Sequence, residues 1–180
     1  MTDVCRLSAA LPPQFCPRCG AQEFVARDNK RLDCRECGFA YYHNVAGAVA
    51  AVIRNGDHIA LGIRAKDPGA GYLGFPGGFV DPGESLEAAL VREVREEFCV
   101  DVTDYHYLFS MSNDYVYRDV AYTTIDAYFE CTVANRESVS AGSEMRGVEW
   151  LLPSAIDHSR LAFDSAREAI KRLGQISESG

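Results

Sequence analysis

Apolar positions along the chain change period several times, and each change marks an element. Residues 45–54 (VAGAVAAVIR) and 58–66 (HIALGIRAK) are short runs of small and β-branched side chains around Asn55-Gly56-Asp57, which predicts two strands and a hairpin turn. Residues 67–83 hold Pro68, Pro76, Pro82 and a cluster of glycines, and predict a loop. After Ser85, Leu86, Leu90, Val91, Val94 and Phe98 recur at helical spacing, so a helix capped by Ser85 runs to about Phe98. Asp101 to Met111 and Val120 to Val133 are rich in β-branched and aromatic residues and predict strands joined through Ser112-Asn113-Asp114. Arg146 to Leu152 predicts a short strand that Pro153 stops. A closing helix from Phe163 to Leu173 sets Phe163, Ala166, Ile170 and Leu173 on one face, with Gly174 beyond its end and a frayed tail over 175–180. Residues 16–42 have no such period and too few aliphatic side chains to fold unaided. The pattern contains no repeat. It predicts an α+β chain, with a cysteine-paired segment at 1–43 and a mixed strand and helix domain at 44–180.

Composition narrows the class. The chain has 180 residues, 47% of them hydrophobic and 24% charged, which suits one core and a small appendage and excludes a disordered or fibrous chain. Its longest apolar run, Val45 to Ile53, falls far short of the roughly 20 residues that span a bilayer. The first 15 residues carry one Arg and no sustained apolar stretch, so no secretory signal is expected and the cytoplasm is the expected location. The formal net charge is −8, divided as +1 over residues 1–43 and −9 over residues 44–180. This balance argues against a membrane surface or nucleic acid as partner. An anionic substrate would need a bridging cation.

The cysteines add chemistry. Cys16-Pro17-Arg18-Cys19-Gly20 and Cys34-Arg35-Glu36-Cys37-Gly38 form two knuckles, in each of which a two-residue gap lets both thiolates face one ion. Tetrahedral Zn²⁺ fits this spacing, and a closed shell of four sulfurs would be structural, supplying folding energy to a segment without a core. The alternative is thiol–disulfide chemistry at a single Cys-x-x-Cys. Cys5, Cys99 and Cys131 read as small core residues or inert thiols.

On the predicted helix Glu93, Glu96 and Glu97 stand at i, i+3 and i+4 and share a face. Like charges at this spacing repel, and a divalent cation with oxygen ligands, Mg²⁺ above all, would offset them. A solvated acidic face paired through Arg92 to Glu96 is the plainer alternative. The glycine loop just upstream shifts the balance: Gly78-x5-Glu84-x7-Arg92-Glu93-Val94-x-Glu96-Glu97-x-Cys99-Val100 resembles the Nudix box, Gly-x5-Glu-x7-Arg-Glu-U-x-Glu-Glu-x-Gly-U. The one departure is Cys99, where the family has glycine just past the helix. Glycine suits a left-handed helix terminus, so Cys99 implies about 1 kcal/mol of strain or a different exit path.

Leu73-Gly74-Phe75-Pro76-Gly77-Gly78 is similar to the stretch that precedes the box, and Val148-Glu149-Trp150-Leu151 to a last-strand segment common in these domains. A four-cysteine ribbon before such a domain is similar to the NADH pyrophosphatase branch of the family. The resemblance implies a Nudix α/β/α sandwich with a mixed sheet behind a small zinc ribbon, and hydrolysis of a nucleoside diphosphate linked to another moiety. It implies that Glu93, Glu96 and Glu97 hold Mg²⁺ or Mn²⁺ with help from Gly77 or Gly78, or that one of them, Glu93 first, instead accepts the proton of the attacking water. Arg92 and Glu84 would brace the loop and orient the carboxylates. Glu144 is the best-placed source of the further carboxylate that the family draws from a later loop, or else an exposed loop acid.

The substrate signal is thinner. The NADH pyrophosphatase branch carries Ser-Gln-Pro-Trp-Pro-Phe-Pro after the box, whereas this chain has Ser110-Met111-Ser112-Asn113-Asp114-Tyr115-Val116-Tyr117, which keeps the serine alone. ADP-ribose or another nucleotide sugar is therefore expected ahead of NADH. Tyr72, Tyr115 and Tyr117 are candidates for base stacking, and Arg64 and Arg118 for phosphate, with core or surface roles as the alternative, and Phe75 is a further candidate for substrate binding. A second class of function, a nucleotide-sensing or nucleic-acid-binding module, has no need of all three box carboxylates. Assembly as a homodimer, common in the family, is left open.

Overall fold

A computed structural model describes residues 15–22, 24–28, 30–117 and 120–178. Cys5 and Arg118 lie outside the described residues. The chain divides into two compact units, one running up to Val45 and including Asp114–Thr123, the other Ala46–Asn113 with Thr124 onward.

The first unit holds a three-stranded antiparallel sheet of β1 (Phe24–Ala26), β2 (Arg31–Cys34) and β3 (Ala40–Tyr42). Among the described residues of this unit only Leu32 and the sulfur-bearing Cys16 and Cys34 are buried hydrophobics, so their packing contributes little. Asp33 pairs with Arg27 at 2.8 Å and with Arg31 at 2.7 Å.

The second unit is built on a six-stranded mixed sheet. Its strands are β4 (Ala46–Asn55), β5 (His58–Arg64), β6 (Leu73–Gly74), β7 (Val102–Tyr117), β8 (Val120–Val133) and β9 (Met145–Leu151). The order is β6-β5-β4-β8-β7, with β9 also paired to β5. β4 and β5 form the expected hairpin, closed by Gly56 at a φ of 58°. They stay paired only at Arg54↔Ile59 and Asn55↔His58, then separate, while β8 runs parallel to β4 from Ala46↔Thr124 to Ile53↔Cys131. The edge of β4 freed by this split is filled by the glycine loop: Val49 N–H donates to Gly78 O, Ala51 N–H to Pro76 O, and Val80 N–H to Gly47 O. The loop is thereby fixed as firmly as a strand.

Helix α1 (Leu86–Phe98) covers one face and helix α2 (Asp164–Glu178) the other. Ser85 caps α1 by accepting from Ala88 N–H. Ala89, Leu90, Val94 and Phe98 pack with Val49, Ala51, Ile53 and Phe129. Leu90, Val94 and Phe98 are fully buried and each contributes on the order of 1.5–3 kcal/mol. On the opposite face Ala166, Ala169, Ile170 and Leu173 pack with Val52, Ile59, Leu61 and Tyr128. This is the expected α/β/α sandwich with a mixed sheet.

Three expected elements differ. The turn expected at Ser112-Asn113-Asp114 lies inside β7, because Tyr115, Val116 and Tyr117 restore strand propensity and the neighbouring β8 satisfies the backbone. Helix α2 passes through Gly174 to Glu178, since its buried stripe outweighs the roughly 1 kcal/mol that glycine costs in a helix. The loop over 67–83 contains the two-residue strand β6, whose register against β5 is Gly62↔Gly74 and Ile63↔Leu73.

Cys99 adopts the conformation usual for the glycine it replaces, with φ 55° and ψ 30°, and its N–H donates to Arg95 O. The helix therefore exits along the ordinary path, and the non-glycine residue bears a left-handed backbone costing about 1–2 kcal/mol. Cys99→Gly is expected to raise the urea midpoint at constant m, equivalent to about 0.5–1 kcal/mol, while Cys99→Ala, which keeps the strain, leaves it unchanged.

Candidate active site

Helix α1 presents its carboxylates to the glycine loop. Glu97, only 4% exposed, accepts the N–H of Gly77 at 2.8 Å. Gly77 has a φ of 152°, and a Cβ there would lie 2.0 Å from Val49 O, so no other residue fits between loop and β4. A Cβ on Gly78 would meet Glu93 Oε1 at 2.5 Å, which brings Glu93 against the loop as well. Arg92 ties the group together. Its guanidinium donates to both oxygens of Glu84 at 3.0 and 2.9 Å, to Glu93 at 2.7 Å, to Glu96 at 3.4 Å and to Phe79 O at 3.1 Å. That fork holds Glu84 below the usual carboxylate range.

The buried carboxylates go the other way. Desolvation raises Glu93, against the opposing pull of Arg92. Desolvation likewise pushes Glu97 up to about 8, opposed by the Gly77 hydrogen bond and the Arg64 charge and reinforced by Glu93 and Glu144. Glu96 remains largely exposed. Three carboxylates, two of them desolvated, beside backbone groups of Gly77 and Gly78 make an all-oxygen donor set that suits a hard divalent cation such as Mg²⁺ or Mn²⁺.

A family model for the NUDIX domain matches residues 44–173. The chain belongs to the Nudix family. Among curated relatives, the NAD-capped RNA hydrolase NudC of Deinococcus radiodurans is 28% identical over 174 residues, covering 91% of this chain and 60% of that protein. NudC of Vibrio vulnificus is 31% identical over 94 residues, 52% of this chain and 36% of the relative. The chain thus spans about a third to three fifths of the length of these curated relatives. A Nudix hydrolase structure from Nitrosomonas europaea superposes with a TM-score of 0.65 at 21% identity, over 92% of this chain and 93% of the other. A bifunctional NMN adenylyltransferase/ADP-ribose pyrophosphatase from Francisella tularensis does so at 0.57 and 21%, over 74% and 42%. These neighbours share the Nudix fold.

The remaining candidate residues are distributed unevenly. Glu144 accepts no hydrogen bond from the box among the described residues; its carboxylate accepts from Lys66 at 2.7 Å, and its charge reaches both Glu93 and Glu97. The loop before it is locked on the end of α1: Gly142 N–H donates to Glu97 O, Ser140 N–H to Phe98 O, and a Cβ on Gly142 would lie 1.9 Å from Glu96 O. Lys66 and Gly142 carried no motif that sequence reasoning could use. Arg64 donates to Pro68 O at 2.9 Å and lies 4.9 Å from the Phe163 ring, with its charge felt at Glu97. Phe75 is 7% exposed and packs edge-on against Tyr128 at 5.3 Å, so its ring belongs to the core rather than to a stacking surface. Tyr72 is exposed. Tyr115 is half-buried and falls in the first unit.

In the first unit the ligand atoms of Cys16, Cys19, Cys34 and Cys37 lie within 4.8 Å of one another, with Cys16 to Cys37 and Cys19 to Cys34 at 3.7 Å. Sulfurs bound at about 2.3 Å to one tetrahedral ion would be about 3.8 Å apart, so the four fit a zinc-binding module. Gly20 and Gly38 take positive φ at equivalent points of the two knuckles.

The raised value of Glu97 makes a pH prediction. Its folded value of about 8 lies above the ordinary 4.5, so the folded protein holds the proton more tightly, and stability present at low pH is lost as pH rises through about 8. Without added divalent cation, the melting temperature measured by scanning fluorimetry should fall between pH 5 and 8. Glu97→Gln should flatten that slope, and Mg²⁺, binding the ionised form, should restore stability at pH 8 in the unsubstituted protein alone.

Proposed function

We propose that the chain cleaves the diphosphate of a nucleoside diphosphate linked to another moiety, ADP-ribose or another nucleotide sugar ahead of NADH, with Mg²⁺ or Mn²⁺ held by Glu93, Glu96, Glu97 and the Gly77–Gly78 backbone. The observation that carries this reading is Glu97: a carboxylate 4% exposed, bonded to one backbone N–H, with no ion pair among the described residues. Such a group is costly unless a cation completes it. When bound, that cation supplies charge neutralisation at the diphosphate and a water acidified for attack. Glu93, held by Arg92 against Gly78, would alternatively serve as the acceptor of that water's proton in place of ligation. Arg92 and Glu84 keep the carboxylates aligned and the loop in place. Glu144 adds a further acid when released from Lys66, whose ammonium is then available to phosphate.

Two observations order the substrates. The Ser110–Tyr117 stretch lacks the Trp-Pro-Phe-Pro core of the NADH-cleaving branch, which favours a nucleotide sugar. The curated relatives bear the name NAD-capped RNA hydrolase, which makes an NAD-capped RNA the second reading, against the −9 charge of residues 44–180. The six described cysteines are free, which fits a reducing compartment such as the cytoplasm. No helix among the described residues is long and apolar enough to cross a membrane. By sequence we set the domain boundary after residue 43.

The test is a Mg²⁺-dependent screen over ADP-ribose, nucleotide sugars, NADH, NAD, NAD-capped RNA and nucleoside triphosphates, with nucleotide products separated by chromatography. ADP-ribose or a nucleotide sugar should give the highest kcat/KM. Glu97→Gln should lower kcat by more than about 100-fold with the fold intact, and Arg92→Ala by about 10–100-fold. Tight binding without turnover across the panel would instead support the sensing module.

We assign Zn²⁺ to the four cysteines in a structural role. Metal analysis should find one zinc per chain, lost in Cys34→Ser. A disulfide in place of zinc would support the redox alternative.

A further inference from the structure

Glu97 is held at both ends by glycines. Its side chain accepts the N–H of Gly77 at 2.8 Å, and its main-chain carbonyl accepts the N–H of Gly142, also at 2.8 Å. Each glycine approaches a neighbouring backbone too closely for a side chain. A Cβ on Gly77 would lie 2.0 Å from Val49 O, and one on Gly142 would lie 1.9 Å from Glu96 O and 3.2 Å from the Glu97 carbonyl carbon. Gly77 combines that closeness with a positive φ, whereas Gly142 does not, so proximity to α1 alone excludes a side chain at position 142.

A loop that only leads into β9 has no need of so close an approach. Here it gives the end of α1 two of the partners that its last carbonyls lack: Ser140 N–H donates to Phe98 O at 3.1 Å, and Gly142 N–H to Glu97 O. Downstream the same segment is anchored to β5. Ala65 N–H donates to Glu144 O at 2.9 Å, and Met145 is buried where a Cβ on Gly62 would meet its Sδ at 2.5 Å. Glu144 thus sits in a short bridge fixed to α1 on one side and to β5 on the other. Its carboxylate is exposed and paired with Lys66, and its charge opposes ionisation of both Glu93 and Glu97. With the main chain fixed on both sides, the separation of Glu144 from those acids follows from how deeply Gly142 sits on α1.

We propose that Gly142 is a positioning residue of the cation site: lacking a side chain, it lets the loop seat on the α1 terminus, and that seat sets the reach of the Glu144 carboxylate toward a cation shared with Glu93 and Glu97. This rests on those carboxylates holding a divalent cation. A methyl group at position 142 would have to move from 1.9 Å to an ordinary contact of 3.4 Å, about 1.5 Å. Helix α1 does not supply that room, because Leu90, Val94 and Phe98 are fully buried and the Glu97 side chain is bonded to the opposite loop. The Ser140–Glu144 loop withdraws instead. Oxygen ligands of Mg²⁺ sit at about 2.0–2.1 Å in a strict octahedron, so a shift of that size removes one from the shell.

The experiment is a titration of the full chain with Mn²⁺, the free ion read by electron paramagnetic resonance, with each variant checked for fold by circular dichroism. Glu144→Gln and Gly142→Ala should each weaken Mn²⁺ binding by about tenfold. In the Glu144→Gln background, Gly142→Ala should weaken it by less than about twofold, because the acid it displaces is already gone. Ser140→Pro removes the neighbouring bond to Phe98 O, and Val139 before it is already extended at φ −61° and ψ 116°. It should act in the same direction with the same dependence on Glu144, and it decides the question if Gly142→Ala does not fold. Equal losses with and without Glu144, as a merely structural role would give, overturn the proposal, as does unchanged affinity in folded Gly142→Ala or in Glu144→Gln. Mn²⁺ affinity unaffected by Glu97→Gln overturns the carboxylate reading and this proposal together, whereas the preceding outcomes leave that reading standing.

Discussion

The hydrogen bond from Gly77 N–H to Glu97 is the contact on which the rest of the site depends. It joins the end of α1 to the loop that completes the free edge of β4, and it does so around a carboxylate that burial pushes up to about 8. Each partner needs the other. The loop approaches β4 so closely that only glycine fits at position 77, and the resulting shelf is what strips water from Glu97. A site so built stores the desolvation of its acids in the folded state.

Arg92 manages the same tension on the outer side of the helix. One guanidinium bonded to Glu84, Glu93, Glu96 and the carbonyl of Phe79 holds three acids and the loop in one arrangement. It offsets part of the repulsion, and it reaches Glu93 but not Glu97 among the described contacts. Half-buried Glu93 and buried Glu97 therefore have different partners, a guanidinium and a backbone amide, and different freedom to give up or take a proton. The first unit is built differently: with few buried apolar side chains among its described residues, it gathers four sulfurs within 4.8 Å of one another.

Much of this was legible in the chain itself. The period of Leu90, Val94 and Phe98 set α1 to within a residue, and the Ser85 cap followed from side-chain chemistry. The spacing of Glu93, Glu96 and Glu97 fixed a common helix face, because 3.6 residues per turn leaves no other outcome. The knuckle spacing likewise brought four sulfurs within 4.8 Å. Phe75 was not legible: an aromatic in a glycine loop reads as available, and only the packing against Tyr128 shows that it is core. Polar Ser112-Asn113-Asp114 read as a turn, and pairing within the sheet overrode that local preference.

What the sequence by itself determined is everything carried by short-range geometry: helix faces, knuckles, the β4–β5 hairpin, and membership of the Nudix family through one contiguous box. What only the tertiary structure decided is everything carried by contacts between distant segments. That β4 parts from β5 and takes the glycine loop as its neighbour, that Gly142 seals the end of α1, and that Glu144 is held by Lys66 all depend on strand order and register. Local periodicity says which side of an element a residue occupies, and it is silent on what the fold brings to that side. The burial of Glu97, and with it the chemistry of the site, belongs to that second kind of information.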